Sequence, residues 1–244
     1  PVVKRLSGII DPSCTRSLRP GWEEYQMGKI NKVNKQTTNP YLNLYDLDVV
    51  NKVGREGHYY VASRAKTEDD LKLSSIENND PDGVAIYSLY GEKKDRVVLI
   101  RQFRYPLGGY VYELPAGLVD PGENYHTAAI RELKEETGIV VLDTDELEVV
   151  NPCLFSTPGM TDESNALVKI VLNRDTLTGM SQDGAEGSEC FDGFSFLTKE
   201  QAQKILKDGV DEYGIFYSVY TWTALTYFVA DMWNRNPIYK CIKK

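Results

Sequence analysis

The sequence predicts an α/β protein of the α+β type, in which a mixed β-sheet is sandwiched between helices and follows an N-terminal strand-rich appendage. Strand and helix patterns intermix along the 244 residues without the regular alternation of a doubly wound sheet. A helical spacing from Tyr125 to Thr137 ends at Gly138, a residue type common just after helices. The length suits one large domain or a catalytic domain with a smaller appendage.

The first 80 residues predict an irregular or extended arm and then a β-rich appendage. Residues 1–38 hold few apolar runs and many turn residues. Alternation that begins at Tyr41 and again at His58 predicts a β-hairpin or two neighbouring strands. The polar stretch from Thr67 to Asp82 predicts a surface connection, so we divide the chain into residues 1–80 and residues 81–244.

The second part carries the remaining predicted elements. The runs GVAIYSLY and RVVLIRQFRY predict a hairpin, VYELPAGLVD a strand that breaks at Pro115, and LEVVNPCLF and NALVKIVLN two more strands. Thr198 predicts the start of a short amphipathic helix, and an aromatic helix ends the domain. The segment from Gly214 to Trp233 has the length of a membrane span, but its polar residues favour a buried or interface helix.

Composition excludes several classes of function. Twenty-eight Lys and Arg against 36 Asp and Glu give a net charge of −8, which argues against a nucleic-acid binder or a membrane-surface protein. An apolar content of 41% is too high for a disordered chain. The four cysteines form no CxxC pair, so we expect no zinc site and a cytoplasmic location.

The helix that ends at Thr137 concentrates negative charge on one side. At about 100° per residue, three carboxylates fall within one arc: Glu132, Glu135 and Glu136. A different face carries Ala129, Ile130 and Leu133, and His126 is expected on that packing side with a structural role. Such carboxylates call for a cation, and oxygen ligands favour Mg²⁺ or Mn²⁺. The alternative is an exposed acidic helix neutralised by Arg131 and Lys134.

The loop before this helix completes a recognisable motif. Its prolines and glycines allow the backbone to fold against the helix, and Glu123 can accept a hydrogen bond from Arg131. The segment from Gly117 to Ile139 resembles the signature of the Nudix hydrolases, GX5EX7REUXEEXGU, at every fixed position. The flanking RQFRYP, ELPAG and STPGMTDE are similar to the ADP-ribose pyrophosphatase branch of that family.

The resemblance implies a Nudix fold and Mg²⁺-dependent cleavage of ADP-ribose, a nucleoside diphosphate sugar, to AMP and ribose 5-phosphate. It implies metal ligation by the carbonyl of Ala116 and by Glu132, Glu135 and Glu136, with Glu136 also counted as catalytic. Glu163 is implied to orient or deprotonate the attacking water. The box residues with an implied structural role are Gly117, Glu123, Arg131 and Gly138. The N-terminal appendage is implied to form a homodimer.

Further residues are candidates for substrate binding. Arg101 and Arg104 are expected to share one face of a strand and to reach the diphosphate, and Glu113 is expected to contact the ribose or to fix the turn. Four N-terminal tyrosines are candidates for stacking on a base: Tyr41, Tyr45, Tyr59 and Tyr60.

Two alternatives remain open. Pro158 lies 19 residues beyond Ile139 and Pro152 only 13, and neither spacing matches the marker proline of the ADP-ribose pyrophosphatase branch. A short insertion accounts for this, and so does a different substrate such as GDP-mannose. From another class of function comes a non-catalytic module that senses ADP-ribose, although the full set of carboxylates favours an enzyme.

Overall fold

The computed structural model describes residues 28–72, 80–184, 189–211, 214 and 217–232, and these residues divide between two compact units. The first unit comprises Pro1–Leu71 together with Gly159–Thr161. The second unit comprises Lys72–Pro158 and Asp162–Lys244. Residues 159–161 therefore interrupt the second unit in sequence.

The first unit is an antiparallel sheet of three strands in the order β1-β2-β3. Its strands are β1 (Lys29–Lys35), β2 (Asn43–Val50) and β3 (Glu56–Ser63), and Tyr45, Leu47 and Val61 are buried. The hydroxyl of Tyr59 donates to the carbonyl of Gly159 over 2.8 Å. The backbone amide of Ala62 donates to the carbonyl of Met160, also over 2.8 Å. These bonds attach residues 159–161 to β3.

The predicted irregular or extended arm over residues 1–38 is extended at Lys29–Lys35, which forms β1. This strand lies at the sheet edge and four of its seven residues are exposed. Because neither of its faces is fully covered, the strand does not need the apolar alternation by which strands are recognised. Residues 1–27 of the predicted arm lie outside the described residues.

The second unit contains a mixed sheet of seven strands, which confirms the predicted fold class. Its central order is β10-β5-β4-β9-β8; β6 pairs with β5, and β7 pairs with β4. Among the strand pairs of this sheet that the structure describes, β4 with β9 is parallel and the others are antiparallel. The strands are β4 (Gly83–Tyr90), β5 (Arg96–Arg104), β6 (Gly109–Glu113), β7 (Ala116–Leu118), β8 (Glu146–Phe155), β9 (Ser164–Val171) and β10 (Phe191–Thr198).

The sheet lies between helices, and strand β4 packs against helices on both faces. Successive residues of a strand point to opposite faces of its sheet. Val84 and Ile86 pack in a cluster with α1 (Tyr125–Thr137). Ala85 and Tyr87 pack in a second cluster with α2 (Lys199–Asp208) and α3 (Val219–Val229). The structure therefore has α1 on one face of the sheet and α2 with α3 on the other.

Helix α1 has the predicted bounds, but its packing face is narrower than expected. The Asn124 side chain caps its start by accepting from the amides of His126 and Thr127, each over 3.0 Å. The sheet covers Ala129 and Leu133, whereas Ile130 is 41% exposed and His126 is exposed. The expected placement of Ile130 and His126 on the packing face is wrong, because this helix face meets the sheet along a single stripe.

Two elements in the C-terminal part of the chain differ from those predicted from the sequence. The strand β10 has no counterpart among the predicted elements, and the aromatic helix is shorter than the segment Gly214 to Trp233. Among the described residues, none of the helices has both the length and the apolar character needed to span a membrane.

Candidate functional site

The candidate site begins where β7 lies against α1. The amide of Ala116 donates to Glu136 Oε2 over 2.8 Å, and Glu136 is only 2% exposed. A Cβ atom placed on Gly117 would overlap the carboxylate of Glu132. The short strand therefore brings its backbone directly against two helix carboxylates, which requires glycine at position 117.

Arg131 neutralises the outer part of this acidic cluster. Its Nη2 donates to Glu123 Oε2 over 2.8 Å and to the carbonyl of Leu118 over 2.9 Å. Its Nη1 donates to Glu132 Oε1 over 2.7 Å and to Glu135 Oε2 over 3.0 Å. One guanidinium thus joins the loop to the carboxylates of the helix and orients both.

Two carboxylates in the cluster resist ionisation. Burial raises the pKa of Glu136 well above its usual value, and repulsion from Glu132 and Glu189 adds to the increase. Burial also raises the pKa of Glu132, although Arg131 opposes the shift. Glu136 has a neutral amide as its hydrogen-bond partner, so its negative charge is only partly compensated by the protein.

The donor set fits a hard divalent cation. It consists of oxygen atoms alone, from Glu132, Glu135, Glu136 and the Ala116 carbonyl, which is the chemistry that Mg²⁺ and Mn²⁺ prefer. A cation beside Glu136 would replace the unfavourable burial of a lone charge with an ion pair. The raised pKa of Glu136 and the contact at Gly117 are therefore compatible with a metal site.

Glu189 is an exposed residue that the sequence analysis did not single out. Its charge contributes, after burial, to the raised pKa of both Glu132 and Glu136, so it acts electrostatically on the cluster. It precedes β10, whose pairing with β5 brings this segment to the site. The remaining sequence signal is an acidic residue in front of a strand, which is too common to identify a function.

Glu163 immediately precedes β9 and lies in a different electrostatic environment. Its charge, together with burial, raises the pKa of Tyr220 on α3. The next residue, Ser164, donates its amide to Asp82 Oδ2 over 2.9 Å, and Lys72 pairs with the same carboxylate. The structure thus fixes the backbone beside Glu163 through Asp82.

The two candidate arginines have different partners. Arg104 Nε lies 2.5 Å from Glu113 Oε2, and the charge of Arg104 also lowers the pKa of Glu136. Arg101 instead pairs with Asp192 and lies over the ring of Tyr110. The expectation that Arg101 and Arg104 share a face is wrong, because residues three apart in a regularly paired strand point to opposite sides.

The N-terminal tyrosines and histidine have distinct surroundings within the first unit. Tyr45 is fully buried and its hydroxyl donates to the Ala65 carbonyl over 2.7 Å, so it cannot stack on a ligand. Tyr41 and Tyr60 are exposed, and Tyr59 bonds Gly159. His58 Nδ1 lies 3.0 Å from Asp46 and 3.3 Å from Asp48, which makes it an ion-pair partner if protonated.

Comparison with known proteins agrees with this geometry. Residues 80–217, more than half of the chain, match the NUDIX domain. The chain is 43% identical over 95 residues to a nudix hydrolase of Caenorhabditis elegans, covering 38% of this chain and 41% of that protein. It is 37% identical over 105 residues to the ADP-ribose pyrophosphatase of Saccharomyces cerevisiae, covering 42% and 44%.

A third relative is the ADP-sugar pyrophosphatase of Mus musculus, which is 31% identical over 114 residues, or 46% of this chain and 50% of that protein. The chain spans half or less of the length of these three relatives. The NUDIX match includes the β7 strand, helix α1 and their cluster of carboxylates. The chain therefore belongs to the NUDIX domain family.

Proposed function

We propose that this protein hydrolyses the diphosphate bond of ADP-ribose and releases AMP and ribose 5-phosphate. The observation that carries the proposal is the buried, incompletely neutralised carboxylate cluster at the junction of β7 and α1. Relatives named ADP-ribose pyrophosphatase and ADP-sugar pyrophosphatase support this class of substrate. No covalent nucleophile is needed, because water can attack a diphosphate whose charge is compensated.

The residues divide into those that hold a cation and those that hold the substrate. Glu132, Glu135, Glu136 and the Ala116 carbonyl would hold Mg²⁺, or Mn²⁺ as a substitute. When bound, such a cation neutralises the diphosphate and makes water a better nucleophile. Arg104 is the better candidate for the diphosphate, because it is partly exposed and close enough to Glu136 to lower that residue's pKa. Glu113 would orient Arg104 through their ion pair.

Two glutamates are candidates for the residue that orients or deprotonates water. Glu163 is the candidate from the sequence resemblance. Glu189 is supported by its electrostatic coupling to Glu132 and Glu136, whereas the charge of Glu163 acts on Tyr220. We therefore propose Glu189 as the general base and retain Glu163 as the alternative for direct comparison.

The first unit is proposed to form a homodimer, and the protein is proposed to be cytoplasmic. Exposed apolar side chains in the sheet of the first unit, including Leu44 and Tyr60, support the dimer. Among the described residues, Cys153 and Cys190 are free thiols, which is compatible with a reducing compartment. Tyr41 and Tyr60 remain candidates for stacking on a base.

The test of the reaction is product analysis with Mg²⁺ on ADP-ribose, ADP-glucose, GDP-mannose and NADH. We expect AMP from ADP-ribose, and we expect Glu136→Gln to lower kcat by about 10²-fold or more while the fold is retained. Preference for GDP-mannose would keep the site and replace the substrate. Wild-type inactivity on every compound, together with tight binding of ADP-ribose, would favour the sensing module. Near wild-type turnover by Glu136→Gln would contradict its role.

The test of the base compares Glu163→Gln with Glu189→Gln under saturating Mg²⁺. We expect Glu189→Gln to lower kcat by about 10²- to 10⁴-fold with little change in KM, because a general base acts in the chemical step. If Glu163→Gln shows these changes and Glu189→Gln does not, the assignment reverses.

A further inference from the structure

Arg101 and three neighbouring side chains form a cluster that attaches the segment after Glu189 to the β5–β6 hairpin. Arg101 Nη1 lies 2.7 Å from Asp192 Oδ2, and its guanidinium carbon lies 4.6 Å from the centre of the Tyr110 ring. The hydroxyl of Tyr110 lies 3.7 Å from Cys190 Sγ. We define Arg101, Tyr110, Cys190 and Asp192 as the Arg101 cluster.

The backbone makes the same connection. The amide of Phe103 donates to the carbonyl of Cys190 over 2.8 Å, and Phe191 pairs with Gln102. Beyond Phe191 the pairing of β10 with β5 is irregular as far as Phe194. Since regular pairing is interrupted there, the side-chain contacts of Arg101 supply a second attachment for residues 190–192.

The guanidinium of Arg101 already contacts other side chains of the protein. One end of its guanidinium binds Asp192 and one face covers Tyr110, while its Nε is buried without a hydrogen-bond partner among the described residues. A bidentate contact to a diphosphate would require Arg101 to leave Asp192 or Tyr110. Arg104 has no such constraint on its exposed side.

We propose that Arg101 is a positioning residue, which holds the segment of Glu189 against the β5–β6 hairpin through Asp192 and Tyr110. The segment carrying Glu189 is thereby attached to the same hairpin that carries Arg104 and Glu113. This inference rests on the proposed function of Glu189 as the base. Small displacements of a catalytic group reduce turnover strongly, so loss of the attachment acts on kcat.

The kinetic test uses Arg101→Met and Asp192→Asn, each alone and combined with Glu189→Gln. We expect each single variant to lower kcat about tenfold with KM nearly unchanged, and to lower it no further in the Glu189→Gln background. Arg101→Lys should restore part of kcat, because lysine keeps the charge but not the planar fork. Lys204→Met and Asp208→Asn are matched controls, since they remove an exposed ion pair on α2.

A rise in KM with unchanged kcat for Arg101→Met, but not for Asp192→Asn, would overturn the proposal and make Arg101 a substrate contact. Additive losses in the Glu189→Gln background would also overturn it, because they would show an effect independent of Glu189.

A second measurement is independent of turnover and follows hydrogen exchange of the Phe103 amide by NMR. We expect the Phe103 amide to exchange at least about threefold faster in Arg101→Met and in Asp192→Asn. The reason is that the hydrogen bond from this amide to the Cys190 carbonyl opens more often in these variants. The amide of Val98, deep in β5, should keep its protection. Unchanged exchange at Phe103 would refute the attachment. An inactive wild-type protein would refute only the proposed reaction, and the exchange rates would still decide whether Arg101 holds the segment.

Discussion

At the scale of single residues, the site contains carboxylates whose pKa values are shifted in opposite directions. Arg131 lowers the pKa of Glu123 through a direct hydrogen bond, whereas burial raises the pKa of Glu136. Ionised Glu123 therefore stabilises the folded protein, and ionisation of Glu136 opposes folding as the pH rises through its raised value. The first carboxylate fits a structural role, and the second fits a cation-binding role.

The contribution of Glu123 has a defined pH dependence. Because its pKa in the folded protein lies below the ordinary value of 4.5, its stabilisation is present above that value and is lost as the pH falls through the lowered pKa. We expect Glu123→Gln to reduce the free energy of unfolding by about 1–3 kcal/mol at neutral pH and by progressively less in acid. Denaturant unfolding at several pH values measures this difference.

The matched control for this measurement is Glu92→Gln, which changes an exposed residue between β4 and β5. It should alter the free energy of unfolding by less than about 0.5 kcal/mol. A deficit in Glu123→Gln that stays constant down to strongly acidic pH would contradict the ion-pair explanation.

At the scale of secondary-structure elements, the site depends on the close approach of β7 to α1. The strand has only three residues, and two of them contact carboxylates of the helix: Ala116 bonds Glu136 and Gly117 faces Glu132. The residue that follows the helix is also tightly packed, since a Cβ on Gly138 would lie 2.6 Å from the Gly179 carbonyl oxygen. Glycines thus set the position of the C-terminal half of the helix.

The contact at Gly117 leads to a prediction in which activity and stability separate. In Gly117→Ala the new methyl group displaces the Glu132 carboxylate, which is the mobile end of a flexible side chain. We expect kcat/KM to fall by about 10²-fold, because displacement of a cation ligand disrupts the reacting geometry, while Tm changes little. Steady-state kinetics and thermal unfolding of the same preparation measure both quantities.

Gly109→Ala is the control for this prediction, because the nearest atom to its new Cβ is the Leu107 carbonyl oxygen at 3.9 Å. It should retain both activity and Tm. Wild-type kinetics in Gly117→Ala would show that Glu132 does not need its observed position.

Contacts between residues close in sequence could be predicted from the sequence, whereas contacts between residues far apart in sequence could not. Helix α1, its C-cap at Gly138 and the Glu123–Arg131 bond are local, so the sequence indicated them, whereas the Asn124 cap was not predicted. Strand β10 escaped prediction because its register shifts between Phe191 and Phe194, where Gly193 has a φ of +90°, and the two-residue alternation is broken. Glu189 was missed with it, because only the pairing of β10 with β5 brings this segment to the site.

At the scale of the whole molecule, the first unit combines a small sheet with exposed apolar side chains. Tyr60 is 57% exposed and Leu44 is 40% exposed, and both lie on the same face of the β2–β3 pair. A three-stranded sheet has little core of its own. Burial of this face against a second copy of the chain would add apolar contacts that the isolated unit lacks.

The proposed homodimer can therefore be tested through this face. We expect the wild-type protein to sediment as a dimer and Leu44→Glu/Tyr60→Glu to sediment as a monomer, because charged groups cannot be buried in an apolar interface without partners. Leu107→Glu, at a 69% exposed residue of the second unit, should leave the dimer intact. Sedimentation velocity over a wide concentration range distinguishes these cases. A wild-type monomer at all concentrations would contradict the homodimer, and a dimer that persists in the double variant would assign the interface to another surface.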